Sequence, residues 1–168
     1  QALKNFSLKR KPIIGICNGF QILVESELLP GALLKNSNQK FVCKWVTLKV
    51  ENNNNIFTNY FKSNSLIRMP IAHNEGRYYV DNEKLDELER NNQIILRYVN
   101  SIGNTSIQGN PNGSVSNIAA VSNVEGNVLG LMPHPERASE AILSPDSSTD
   151  GIGLFYSMIH SLEVLLKK

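Results

Sequence analysis

Short apolar blocks alternate with polar, glycine- and asparagine-rich stretches along the whole chain. Pro12-Ile13-Ile14-Gly15-Ile16 is a continuous apolar run, the pattern of a strand buried on both faces of a parallel sheet. Residues 18–28 change period: Phe20, Leu23, Val24 and Leu28 recur at helical spacing, and Leu29-Pro30-Gly31 supplies the breakers that end the helix. Residues 41–50 alternate, with Phe41, Cys43 and Trp45 on one side and Val42 and Val46 on the other, which predicts a partly exposed strand. Two more strands are predicted over 66–72, with Pro70 near its end, and over 93–99. Between them, residues 81–90 set Leu85 and Leu88 among charges, as a short surface helix does. Residues 102–113 read as a loop, and 116–122 and 127–132 as strands joined at a Glu125-Gly126 turn that can close a hairpin. Asp150 is placed to cap a last helix whose apolar stripe is Leu154, Phe155, Met158, Ile159, Leu162, Leu165 and Leu166. Residues 1–6 read as the tail of an amphipathic helix. No repeat or linker interrupts this order. Strands mixed with helices predict one α/β domain over residues 1–168, with antiparallel additions to its sheet.

Composition narrows the function. At 168 residues and 41% hydrophobic content, the chain can bury one core. The formal charge is +2, and the basic residues are scattered among acids. Phosphate backbones are bound by basic stripes, so nucleic acid is not expected as the ligand. No apolar run reaches the roughly 20 residues that span a bilayer. Residues 1–10 are basic but lack the apolar block of a secretory signal. Two cysteines without Cys-x-x-Cys or His-x-x-x-His spacing predict no zinc site and a reduced, cytoplasmic protein. The asparagine run at 52–55 reads as compositional bias in a loop.

The strongest chemical signal is Gly15-Ile16-Cys17-Asn18-Gly19, which lies where the buried strand becomes a helix. A nucleophile on such a turn is held in front of the sheet in a strained conformation, and small neighbours, here Gly15 and Gly19, let the chain fold back. The helix start is expected to favour thiolate at Cys17. The Asn18 N–H is expected to face an oxyanion formed on a carbonyl that the sulfur attacks. Cys43, inside an alternating strand, reads as packing. A thiol attacking an amide also needs a proton carrier. His134 sits in Met132-Pro133-His134-Pro135-Glu136, directly after a strand, on a loop stiffened by two prolines. Glu136 is placed to orient its ring. His160 falls in the last helix and reads as structural or surface-facing.

Gly15-Ile16-Cys17-Asn18-Gly19-Phe20-Gln21 together with Pro133-His134-Pro135-Glu136 resembles the class I (triad) glutamine amidotransferases. Leu29-Pro30-Gly31-Ala32-Leu33, Ala72-His73-Asn74-Glu75-Gly76-Arg77-Tyr78-Tyr79, Asn110-Pro111-Asn112-Gly113-Ser114 and Leu131-Met132-Pro133-His134-Pro135-Glu136-Arg137-Ala138 narrow the likeness to the glutaminase subunits of phosphoribosylformylglycinamidine synthase, and it covers essentially the whole chain. The resemblance implies a doubly wound, flavodoxin-like fold with a mostly parallel sheet. It implies that Cys17 forms a γ-glutamyl thioester with L-glutamine, that His134 and Glu136 move protons, and that Gln21, one helical turn past Cys17, helps hold the substrate. It implies no cofactor in this chain. Ammonia passes to a large synthetase subunit that uses ATP and magnesium to make the amidine for purine synthesis, in a complex with a small third subunit.

His73 and the residues to Tyr79 are expected near the mouth of the site, binding glutamine or docking a partner through a polar, aromatic surface. The family often has glycine where this chain has Asn74, and asparagine tolerates φ > 0. Relatives also carry earlier strands, and a glycine-rich loop with a second oxyanion donor, before the position of Gln1. Those first strands are expected to be missing from this sequence, and losing one such donor costs about 10²–10³ in rate. Two other readings keep the same fold: an amidotransferase feeding pyrimidine, anthranilate or guanylate synthesis, and a non-catalytic subunit. The Asn-Pro-Asn-Gly-Ser and His-Asn-Glu-Gly segments oppose the first. The intact Cys17, His134, Glu136 and Gln21 oppose the second.

Overall fold

A computed structural model describes residues 1–166, with side chains to Val164. In chain order the elements are α1 (Ala2–Leu8), β1 (Ile13–Ile16), α2 (Asn18–Glu25), β2 (Ala32–Leu34), β3 (Val42–Val50), β4 (Leu66–His73), β5 (Arg77–Tyr79), α3 (Asn82–Arg90), β6 (Ile94–Val99), β7 (Ile118–Ser122), β8 (Val128–Leu131) and α4 (Ile152–Leu166). Six strands form one sheet in the order β1-β8-β7-β6-β3-β4, and β2 pairs with β5 in a separate ribbon. Helices lie on both faces. Leu154 of α4 joins a core cluster with Leu48, Met69 and Leu131, while Phe20 and Leu23 of α2 and Leu88 of α3 pack with Ile94, Val121 and Val128.

The fold is α/β, as the sequence indicates, but the balance of the sheet differs from the expected mostly parallel one. Among the described strands, β1 with β8 is the parallel pair, and the other pairings in the large sheet are antiparallel. The reason is connection length. Parallel neighbours need a crossover. β7 and β8 are instead joined by a tight turn in which the Asn123 carboxamide oxygen accepts the N–H groups of Asn127 and Val128. β1 reaches its parallel partner only after more than a hundred residues of intervening chain.

The β1–β8 pair sets the position of α2. Gly15 and Gly130 are register partners. A Cβ on Gly130 would lie 2.1 Å from the Phe20 ring, and one on Gly15 would lie 2.4 Å from Leu23 Cδ1 and 2.6 Å from the Gly19 carbonyl oxygen. Two facing glycines thus let the helix lie directly on the strands, and its first turn meets the end of β1. The sequence expectation asks Gly19 to be small for the same reason. A Cβ there meets nothing within 4 Å, so of the two glycines flanking Cys17 only Gly15 is sterically required.

Other local expectations also shift. The Asp150 carboxylate does not cap α4; it accepts the Arg68 backbone N–H of β4 at 2.7 Å, tying the edge of the sheet to the start of that helix. Leu154 is buried, but Ile159 and Leu162 are exposed, so the apolar stripe of α4 faces the core only over its first turns. The side chains of Leu165 and Leu166 lie outside the described residues. Asn74 does not adopt positive φ, so its tolerance of that region is not used. The asparagine run is built structure: Asn55 donates to the Asn52 carbonyl and to Thr58, and Asn52 donates to the Asn92 carbonyl.

Candidate active site

Cys17 stands between the last residue of β1 and the first of α2, at φ 51° and ψ −105°. This pair of angles lies outside the allowed wells for an L-residue, so the backbone is strained. Its own N–H donates to the Leu131 carbonyl at 2.9 Å, which pins the turn to the end of β8. The sulfur lies 3.9 Å from the Ala72 carbonyl at the end of β4. Burial pushes the Cys17 thiol above its ordinary range; the hydrogen bond from the Asn18 N–H and the nearby Arg137 charge work against that, and Glu136 works with it. The Asn18 N–H thus acts on the sulfur from the start of α2. Desolvation nevertheless outweighs the helix start, so the thiol pKa is raised where the sequence reading expects it lowered.

His134 follows β8, and its N–H donates to the Pro70 carbonyl of β4 at 2.9 Å. Its Nδ1 meets Glu136 Oε1 at 2.5 Å. With a carboxylate on that side, Nδ1 carries the proton and Nε2 presents a lone pair. Nε2 is buried and has no partner among the described residues. Glu136 also holds Arg137, whose Nε lies 3.5 Å from the same oxygen. Cys17, His134 and His73 line one cleft of about 470 Å³ with Asn18, Gln21, Glu75 and Arg137, a size within the common range for small-molecule sites. Gln21 lines this cleft; its amide nitrogen donates to Glu25 at 2.9 Å, and its oxygen has no hydrogen-bond partner among the described residues. Among the described residues, no three His, Cys, Asp or Glu side chains are grouped to hold a metal.

The His73 segment lines the cleft and is divided between core and surface: Asn74, Glu75 and Tyr79 are exposed, whereas His73 and Tyr78 are buried. His73 is 4% exposed and Tyr78 is 1% exposed. Tyr78 stacks on Phe20 at 5.6 Å between ring centroids, and its hydroxyl donates to the Pro30 carbonyl at 2.7 Å. The Asn-Pro-Asn-Gly-Ser segment clamps this turn: buried Asn112 donates to the Gly76 carbonyl at 2.7 Å, and Ser114 Oγ accepts the Tyr78 N–H at 3.1 Å. Asn36, which bonds His73, and Arg137, which lines the cleft, belong to the site although sequence reasoning gives neither a role; Glu75 falls in the segment expected at the mouth. Arg137 follows the Pro-His-Pro-Glu run directly; Asn36 is one asparagine among many and has no local signal.

Burial, and then the charge of the facing His134, lower the His73 pKa from 6.5 to about 4. The unfolded chain binds more protons than the folded one between those values. Stability from this group is therefore complete above pH 6.5 and is lost as the pH falls toward 4. Chemical denaturation at stepped pH is expected to show a steeper loss over that window in the wild type than in His73→Gln.

Residues 1–160 match the family described as the CobB/CobQ-like glutamine amidotransferase domain. The chain is 57% identical over 159 residues to the phosphoribosylformylglycinamidine synthase subunit PurQ of Aquifex aeolicus, covering 95% of this chain and 69% of that one. It is 49% identical to the PurQ subunit of Chlorobaculum parvum, over 94% of this chain and 62% of that one. The structure of PurLQS from Thermotoga maritima superposes with a TM-score of 0.80 at 45% identity, over 95% of this chain and 66% of that one. The chain thus spans about two thirds of the length of these relatives.

Proposed function

The chain belongs to the CobB/CobQ-like glutamine amidotransferase family, among its PurQ-type members, and on that premise we propose that it hydrolyses the side-chain amide of L-glutamine and delivers ammonia to a phosphoribosylformylglycinamidine synthase. The observation that carries this reading is the buried, unpartnered Nε2 of a Glu136-oriented His134 in the same cleft as a strained Cys17. His134 Nε2 takes the Cys17 thiol proton as the sulfur attacks the amide carbon. The oxyanion that forms is met by the Asn18 N–H. Collapse breaks the C–N bond, His134 returns the proton to the leaving nitrogen, and ammonia departs. A water, deprotonated by His134, then opens the thioester, releasing glutamate and restoring the thiol. Gln21, through its free carboxamide oxygen, and His73 hold the substrate. Burial raises the thiol pKa, and this transfer to His134 activates it.

ATP and magnesium act in the large synthetase subunit, which makes formylglycinamidine ribonucleotide with a small third subunit in the cytoplasm. The chain offers no glycine-rich phosphate loop for the nucleotide. No described helix is long and apolar enough to cross a membrane. The test is ammonia release from glutamine with and without the synthetase, alongside intact-mass analysis after a glutamine-analogue electrophile. One adduct at Cys17 and none at Cys43 is expected. No adduct and no ammonia under either condition would sink the proposal.

A further inference from the structure

His73 is a second histidine in the cleft, and its tautomer follows from geometry. Asn36 Oδ1 faces His73 Nδ1 at 3.0 Å and accepts the Gly76 N–H at 3.2 Å. The amide nitrogen of Asn36 donates to the Lys40 carbonyl at 2.8 Å and to the His73 carbonyl at 2.9 Å. Exchanging the oxygen and nitrogen of Asn36 would set a donor against the Gly76 N–H and an acceptor against both carbonyls, so its orientation is fixed. Nδ1 of His73 must therefore donate, and the neutral ring presents a bare lone pair at Nε2. That atom is buried without a partner among the described residues. The ring is also held from behind, because a Cβ at Gly76 would come within 2.3 Å of its Cε1 and Nδ1.

A bound carboxamide brings complementary needs to this cleft. Its oxygen goes to the Asn18 N–H, and its nitrogen carries two N–H donors that cost free energy if buried unpaired. His134 Nε2 is occupied with the thiol proton. Resting on the glutaminase reading above, we infer that His73 Nε2 accepts a hydrogen bond from the scissile amide nitrogen and thereby selects a carboxamide over a carboxylate or an ester at the same acyl carbon. A glutamate carboxylate would set oxygen lone pairs against the Nε2 lone pair, and a ring that stays neutral at working pH has no proton to offer it. The same lone pair receives the leaving ammonia while His134 supplies its third proton.

The experiment compares kcat/KM for L-glutamine and for L-glutamate γ-methyl ester, with the chain assayed together with its synthetase. His73→Leu is expected to lower the glutamine value about tenfold to a hundredfold, as one unpaired buried donor implies, and to change the ester value by less than about threefold. His73→Gln, which keeps an acceptor oxygen, is expected to recover part of the amide preference. His73→Asn, polar and shorter, gives the same ratio should the leucine variant not fold. Equal losses on amide and ester would overturn the inference and leave His73 a packing residue. A wild-type protein inert to both substrates would overturn the glutaminase reading instead.

Discussion

Cys17→Gly is expected to be about 1–3 kcal/mol more stable than Cys17→Ala, with glutamine hydrolysis down by about 10⁴-fold or more in both. The comparison isolates the backbone. Both variants lose the sulfur, so both lose the attack that forms the thioester. They differ in whether a Cβ is forced into φ 51° and ψ −105°, angles that glycine reaches without strain. Glycine also frees the unfolded chain, which takes back a fraction of the gain. The surrounding structure over-determines the strained turn. The Cys17 N–H is bonded to the Leu131 carbonyl, and α2, which starts at the very next residue, is pressed against β1 and β8 at the glycine pair. Urea denaturation of the two variants, with ammonia release measured beside it, checks both halves. Equal midpoints would mean that the elbow holds the sulfur in place without stored strain.

The periods of the sequence are enough to locate most strands and helices, because each buries a face at a spacing the apolar residues record. β3 alternates as Val42, Val46, Leu48 and Val50 require, and α3 is capped by Asp81, whose side chain accepts the Lys84 N–H. What the periods do not carry is pairing. β2 has only three residues and exists because Ala32, Leu33 and Leu34 find Tyr79, Tyr78 and Arg77 across a ribbon. Cys17 and His134 are legible for a different reason: they sit in local contexts, a glycine-flanked elbow and a proline-bracketed loop, that advertise backbone constraint. Asn36 is not legible, since its role comes from contact with a histidine 37 positions away. The upward shift of the thiol pKa is not legible either, because the helix start is visible in sequence whereas burial is a property of the assembled cleft.

Gly151→Ala is expected to cost about 3 kcal/mol or more and to lower the turnover of glutamine, although Gly151 does not line the cleft that holds the thiol. A Cβ there would lie 2.1 Å from the Pro135 carbonyl oxygen, 2.8 Å from its carbon and 2.9 Å from its Cα. These are backbone atoms and cannot swing aside. The same carbonyl accepts the Ser139 hydroxyl at 2.7 Å, and the Gly151 N–H donates to the Ala138 carbonyl at 2.9 Å, so the turn over Pro135–Ala138 is held against the start of α4. A methyl group must therefore displace the turn that carries Glu136, and with it the ring of His134. Displacement of a catalytic group by about 1 Å can cost on the order of a hundredfold in rate. Cys17 itself stays in place, because β1 and α2 hold it. Alkylation of Cys17 by iodoacetamide should nevertheless slow together with turnover, because His134 takes the thiol proton. Gly19→Ala, whose methyl meets nothing within 4 Å, is the stability control. If Gly151→Ala melts and turns over like the wild type, the start of α4 does not brace the base.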